Sequence, residues 1–233
     1  MIRSVKYGES DLIVTCFTEV GIRPYLVKGV LKSKSKRFKP AHFQLLNQLD
    51  LLANHNDKGR LNSIKELRTS YIYHSIQLDI FKQSIAIFLA EILSTVLQEG
   101  MEDSGLFHYL EAAFQWLDNH DQTANFHLVF LMHLSKFLGI YPHGIQEKLP
   151  YFDMEEGRFV RIKPSGLYLE SEKLIEFREL IGINFDGMLG LKWNSTKRQE
   201  MLEIILTYFE LHLPGFRKPR SLKVLKEVFN ELS

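Results

Sequence analysis

Tyr25-Leu26-Val27-Lys28-Gly29-Val30-Leu31-Lys32-Ser33-Lys34-Ser35-Lys36-Arg37-Phe38-Lys39 is an apolar, strand-like run that passes into a loop carrying a basic residue at nearly every second position. No carboxylate occurs between Glu19 and Asp50. Lys28, Lys32, Lys34, Lys36, Arg37 and Lys39 therefore have no acidic neighbours in sequence, and the short Ser33 and Ser35 leave the cationic groups free to reach an anionic lattice. A polyphosphate backbone is such a lattice; a solvated surface loop is the plainer reading of a lysine run taken alone.

The segments on either side suggest what the run belongs to. Ile2 to Tyr7 and Asp11 to Thr18 are short β-branched runs joined across Gly8-Glu9-Ser10, and Arg23 to Val30 makes a third strand after a turn at Gly21. Phe43 to Ala53 is strand-like, although its leucines suit a helix almost as well. Asn54-His55-Asn56-Asp57-Lys58-Gly59 signals a hairpin, and Leu61 to Arg68 supplies a fifth strand. Five short antiparallel strands suit a small closed barrel of the oligonucleotide-binding (OB) type, which composition does not separate from an SH3-like barrel.

Near Ser70 the period changes from two to that of a helix. Ser75 to Gln98, a segment from Asp103 or Ser104 to about Leu117, and the almost wholly apolar Thr123 to Phe137 read as three helices. Residues 145 to 170 read as irregular, with a turn at Asp153-Met154-Glu155-Glu156-Gly157 between extended pieces at Leu149 to Phe152 and Arg158 to Ile162. Helices resume at Ser171 to Leu180, Thr196 to His212 and Ser221 to Glu231. The expected fold is α+β: a five-stranded OB-type barrel over residues 1–73, then a helical domain over residues 74–233.

Charge follows the same division. The 233-residue chain has a net charge of +1, but residues 1–73 hold 13 Lys and Arg against 6 Asp and Glu, or +7, and the rest hold 16 against 22, or −6. A second basic cluster, Arg217, Lys218, Arg220, Lys223 and Lys226, interrupts the acidic part. It suits an acidic peptide or an extension of a nucleic-acid track, beside a proline-bounded turn whose Ser221 caps the last helix.

No phosphate-cradling glycine loop, nucleophile elbow or zinc helix occurs in the sequence. The single cysteine, Cys16, excludes an internal disulfide and a multi-cysteine zinc site, and its apolar surroundings read as core. His127 and His133 are six apart and do not share a helix face; Asp153, Glu155 and Glu156 read as turn carboxylates. The longest apolar run, Ile85 to Ala90, is too short to span a bilayer, and a cytoplasmic protein is expected.

Taken in order, Lys6-Tyr7-Gly8-Glu9-Ser10-Asp11-Leu12-Ile13-Val14, Thr18-Glu19-x-Gly21, Val27-Lys28-Gly29-Val30 with its basic loop, Phe43-Gln44-Leu45-Leu46, Leu138-Gly139-Ile140-x-Pro142, Phe216-Arg217 and Ser221-Leu222-Lys223-Val224-Leu225 resemble the RecO family of bacterial recombination mediators. The resemblance spans nearly the whole chain. It implies an OB barrel fused to a helical domain, no catalytic site and no cofactor. It also implies binding to single- and double-stranded DNA, annealing of complementary strands, recognition of single-strand-binding protein, pairing with RecR and help in loading RecA at the nucleoid.

The family's DNA-binding character transfers to Lys28, Lys32, Lys34, Lys36, Arg37 and Lys39, with Tyr25 and Phe38 as stacking candidates beside a core role. Arg217, Lys218, Arg220 and Lys223 are the candidates for the acidic tail of single-strand-binding protein. Many relatives carry a four-cysteine zinc knuckle where this chain has Leu149 to Pro164 without cysteine, so no metal is expected. Met1-Ile2-Arg3 falls inside the expected first strand, which implies either a true start further upstream or a shortened first edge.

Overall fold

The β-branched runs at the N-terminus pair as their alternation predicts. In the computed structural model, which describes residues 1–32, 38–55, 62–144 and 148–231, strands β1 (Arg3–Tyr7), β2 (Asp11–Thr18) and β3 (Gly21–Val27) form an antiparallel sheet in that order. Strands β4 (Gln48–Asn54) and β5 (Ser63–Tyr71) form a second, two-stranded antiparallel sheet. Leu12, Val14, Cys16, Tyr25, Val27 and Ile64 turn inward, joined by Val30, Phe38 and Phe43 from the connecting segment.

Among the described residues, the five strands do not close into a continuous barrel. β3 meets the residue just before β5 through a parallel bridge, Tyr25 with Asn62, and the Leu26 N–H donates to the Asn62 carbonyl at 2.9 Å. Just before β1 and β4, the Leu46 N–H donates to Met1 O (2.7 Å) and the Met1 ammonium donates to Asn47 O (3.0 Å). Two local features explain the breaks. Pro24 has no N–H to give to a ladder, and Leu46 takes a left-handed φ of 65° that ends any extended run before β4 begins. The expected fourth strand from Phe43 is thus shorter: Pro40–Phe43 is a 3₁₀ turn, and extended pairing starts at Gln48.

Two compact units divide the chain, Met1–Asn119 and His120–Ser233. In the first, α1 (Ile80–Val96) and α2 (Ser104–Asn119) accompany the strands. Asp79 caps α1 by accepting from the Phe81 and Lys82 N–H groups, and Asp103 caps α2 by accepting from Leu106 N–H at 2.9 Å. Asp118, near the end of α2, accepts hydrogen bonds from the His74, Ser75 and Ile76 N–H groups and so ties the chain after β5 to that helix.

The second unit is centred on α3 (Phe126–Phe137), whose Phe126, Leu128, Val129, Phe130, Leu131 and Leu134 are fully buried. Around it lie α4 (Ser171–Leu180), α5 (Ser195–His212) and α6 (Leu222–Glu231). The two extended pieces expected on either side of the Asp153–Gly157 turn pair as β6 (Tyr151–Asp153) and β7 (Arg158–Val160), and the rest of the segment, expected to be irregular, adds a third strand, β8 (Tyr168–Glu170), to give an antiparallel sheet ordered β7-β6-β8. Each strand has three residues and contributes one inward side chain, Phe152, Phe159 or Leu169, too few for a period to register. Phe152 lies 4.8 Å from Phe177 of α4 and 4.9 Å from Phe159, ring centre to ring centre, which roots the sheet in the helical core.

Candidate nucleic-acid interface

The basic segment leaves β3 through a tight turn fixed by its neighbours. Gly29 adopts φ 66°, a left-handed conformation open to glycine, and its N–H donates to Asp11 Oδ1 at 2.7 Å. The Leu31 N–H reaches Ser10 O at 2.9 Å and the Lys32 N–H reaches Gly29 O at 3.2 Å. Val30 is 1% exposed and Phe38 8% exposed, so both ends of the segment are plugged into the apolar core. Between and beside these plugs, Lys28, Lys32 and Lys39 stand exposed, and none of the three forms an ion pair among the described residues. Lys34, Lys36 and Arg37 lie outside the described residues.

The buried Val30 and Phe38 fix the described ends of the segment, beside which the long side chains of Lys28, Lys32 and Lys39 reach solvent. The same burial removes the two aromatic stacking candidates from reach. Tyr25 is 2% exposed and meets the His55 ring edge-on, and Phe38 meets Phe43 edge-on with ring centres 6.2 Å apart. Both rings belong to the core because each sits at an inward position next to the strands that cover it.

The face of the three-stranded sheet turned away from that core carries residues that sequence reasoning left unassigned. Tyr7 and Val5 are 55% and 42% exposed on β1, beside half-buried Ile13 of β2 and Leu26 of β3. The alternation of Ile2 to Tyr7 held the signal, since residues 3, 5 and 7 share one side of the strand.

At the C-terminal cluster the cations differ in their surroundings. The Lys218 ammonium lies 2.8 Å from Glu203 Oε2, 3.8 Å from Glu210 Oε2 and 3.3 Å from Thr207 Oγ1, and Lys226 also pairs with Glu203. Burial alone would raise the Glu203 carboxyl; the hydrogen bonds and charges of Lys218 and Lys226 together outweigh it and lower the carboxyl's pKa. Lys223 is 84% exposed with Glu227 3.9 Å away, and Arg217 and Arg220 are exposed.

A cleft of about 80 Å³ in the first unit is lined by Cys16, Phe17, Leu93, Phe107 and Phe114, with Gln48 as its central amide. Burial pushes the Cys16 thiol above its usual pKa, and the Gln48 amide is engaged with Tyr73 Oη and Glu111 O. His127 is buried, whereas His133 Nε2 donates to Ile183 O at 2.7 Å. Among the described residues no three His, Cys, Asp or Glu side chains are grouped to hold a metal ion, and no helix is long and apolar enough to cross a membrane.

Comparison with known proteins covers nearly the whole chain. The family described as "Recombination protein O N terminal" matches residues 1–73, and "Recombination protein O C terminal" matches residues 77–222. Among similar curated proteins, the DNA repair protein RecO of Christiangramia forsetii is 40% identical over 230 residues, covering 98% of this chain and 96% of the relative. That of Flavobacterium psychrophilum is 42% identical over 231 residues, covering 99% and 97%. That of Bacteroides fragilis is 36% identical over 234 residues, covering 99% and 97%. None of these matches indicates an enzymatic family.

Proposed function

The chain belongs to the RecO family, and we propose that it serves DNA repair as a nonenzymatic recombination mediator that grips the phosphates of single- and double-stranded DNA on its N-terminal basic segment. The observation that carries this reading is the anchored segment itself: Lys28, Lys32 and Lys39 exposed and unpaired among the described residues, between side chains buried in the core. Lys34, Lys36 and Arg37 extend the same run in sequence.

An incompletely closed, OB-type arrangement of the five strands is the architecture we infer beneath it. The two sheets, the Tyr25–Asn62 bridge and the Met1–Leu46 contact set the strands in the cyclic order β1-β2-β3-β5-β4, the order that closure would require. Annealing then follows from charge neutralisation. Two complementary strands held at one basic surface repel each other less and reach register sooner.

The protein partners proposed are the acidic tail of single-strand-binding protein, held by Arg217, Arg220 and Lys223 with Lys218 at the edge of the cluster; RecR; and, indirectly, RecA on strands from which single-strand-binding protein is displaced. The site of action is the nucleoid.

Titration of a labelled single-stranded oligonucleotide at several salt concentrations tests the phosphate grip. Six contacts predict a slope of log K against log salt of about −4, roughly −0.7 for each phosphate neutralised. Lys34→Glu combined with Lys36→Glu is expected to abolish annealing and flatten that slope while circular dichroism stays unchanged. A wild-type slope near zero would exclude the phosphate grip, and full binding by the doubly reversed protein would move DNA elsewhere on the molecule.

A further inference from the structure

An antiparallel sheet with one buried side normally shows apolar residues to the core and polar residues to water. The three-stranded sheet departs from that rule. Its core side is filled by Leu12, Val14, Tyr25 and Val27, yet its other side presents Val5, Ile13 and Leu26 in one rung and Tyr7 in the next. The Tyr7 rung continues through Asp11, its pairing partner, to Lys28, which follows the Leu12–Val27 pair. Arg3 lies at the opposite end of the same side of β1. Both Arg3 and Lys28 are exposed, and neither forms an ion pair among the described residues.

Two carboxylates lie near this face. Asp11 Oδ1 is engaged by the Gly29 N–H at 2.7 Å and the Ser10 hydroxyl at 3.2 Å, and Glu9 is exposed in the turn between β1 and β2. The face therefore carries an exposed aromatic ring in the rung next to three aliphatic side chains, with cations at either end. An occupant has to bring flat apolar surfaces and negative charge together on one chain. Unpaired bases on a phosphate backbone do so; a duplex keeps its base faces stacked on each other.

We propose that Tyr7, backed by Val5, Ile13 and Leu26, is a base-stacking platform for single-stranded DNA, with Arg3 and Lys28 holding phosphates at its ends. This role rests on the DNA-binding reading above and adds to it a means of preferring unpaired strands, which lysines alone lack. It also places the stacking ring outside the core, unlike Tyr25 and Phe38.

The test titrates the full chain with a fluorescent oligothymidine and with a hairpin duplex at several salt concentrations, comparing wild type, Tyr7→Val and Tyr7→Phe. Valine removes the ring while keeping a residue favoured in strands. Tyr7→Val is expected to lose about tenfold in single-strand affinity, within the range for one base–aromatic stack, with its salt slope and duplex affinity unchanged. Tyr7→Phe is expected to bind like wild type, and 2-aminopurine placed in the oligonucleotide to be quenched on binding to wild type.

Equal single-strand affinity in wild type and Tyr7→Val, with the salt slope intact, would remove the platform and leave the phosphate grip standing. An equal loss on single strand and duplex, or no 2-aminopurine quench in the wild-type complex, would also overturn it. Salt-independent or absent binding by wild type would instead bring down the underlying DNA-binding reading.

Discussion

Replacing Asp118 with alanine should destabilise the first unit by several kcal/mol, although no charged partner or ligand is removed from the surface. Asp118 is 4% exposed, and its carboxylate accepts from His74 N–H at 2.9 Å, Ser75 N–H at 2.8 Å, Ile76 N–H at 3.0 Å and the Ser75 hydroxyl at 3.1 Å. The Ser75 hydroxyl in turn accepts from the Lys82 ammonium at 2.7 Å, and Lys82 is 1% exposed. Hydrogen bonds to a charged acceptor are worth about 1.5–3 kcal/mol each, and a buried donor left without a partner costs about 1–3 kcal/mol. His74 is exposed and water can replace its bond, whereas Ile76 is buried and water cannot reach it so readily. Counting Ile76 fully and the others in part gives a loss of about 3–5 kcal/mol, a large share of a typical total of about 5–15 kcal/mol.

Urea unfolding followed by circular dichroism measures the loss, with Asp118→Asn as the companion variant, since it keeps the shape and one acceptor oxygen. The pH dependence separates charge from shape. Burial, the largest single influence, would raise the Asp118 carboxyl; the His74, Ile76 and Ser75 N–H groups and the Ser75 hydroxyl together outweigh it and hold the pKa below the usual value. Stability from this shift is present above the ordinary aspartate pKa of about 3.9 and is lost as pH falls through the depressed folded value. The gap between wild type and Asp118→Asn should therefore be widest near neutrality and shrink below about pH 4. An unchanged urea midpoint for Asp118→Ala at neutral pH, or a gap that grows on acidification, would refute the reasoning.

Two further outcomes follow from buried geometry. Gly21 has φ 87°, and a Cβ there would lie 2.8 Å from Met101 O, so Gly21→Ala should lower the thermal midpoint by an amount equivalent to about 2 kcal/mol; an unchanged midpoint would show that the turn relaxes freely. Burial, with the Arg198 charge adding to it, pushes His127 down to about 3. The unfolded chain protonates this imidazole below about pH 6.5 while the folded one does not, so stability falls by about 1.4 kcal/mol for each pH unit in that window. His127→Gln should remove this slope, and parallel pH profiles of urea midpoints would exclude it.

How far the sequence reveals such features depends on whether a residue's neighbours are near it in the chain. The pairing of β1, β2 and β3 was legible because β-branched alternation and the turn residues Gly8 and Gly21 are local signals, and α4 begins and ends where its apolar period does. The third strand of the sheet around Phe152 was not, because three-residue strands hold one inward side chain each and β8 is defined by partners up to nineteen residues away. Barrel closure failed for a similar reason. It depends on what Leu46 and Pro24 do to edges that meet only in three dimensions: the missing N–H of Pro24 is legible from its type, but which neighbour that edge faces is not, and the left-handed turn at Leu46 has no signature in a leucine.

The candidate interface divides along the same line. Charge is additive and survives any fold, so the lysines from Lys28 to Lys39 stand out in the bare sequence. Aromatic residues take their meaning from the side of the strand they occupy. Tyr25 and Tyr7 are both tyrosines in β-branched surroundings near the basic run, yet one is 2% exposed and the other 55%. Tyr25 pairs with Val14 on the filled side and Tyr7 with Asp11 on the open side, a parity set by the register of β2 against both neighbours. A one-residue slip in that register would exchange the core and solvent sides of a strand. The register that builds the core is therefore also what leaves Tyr7 facing solvent in the same rung as Lys28, so perturbing the inward residues of β2 should disturb single-strand preference as well as stability, whereas changing Tyr7 should disturb preference alone.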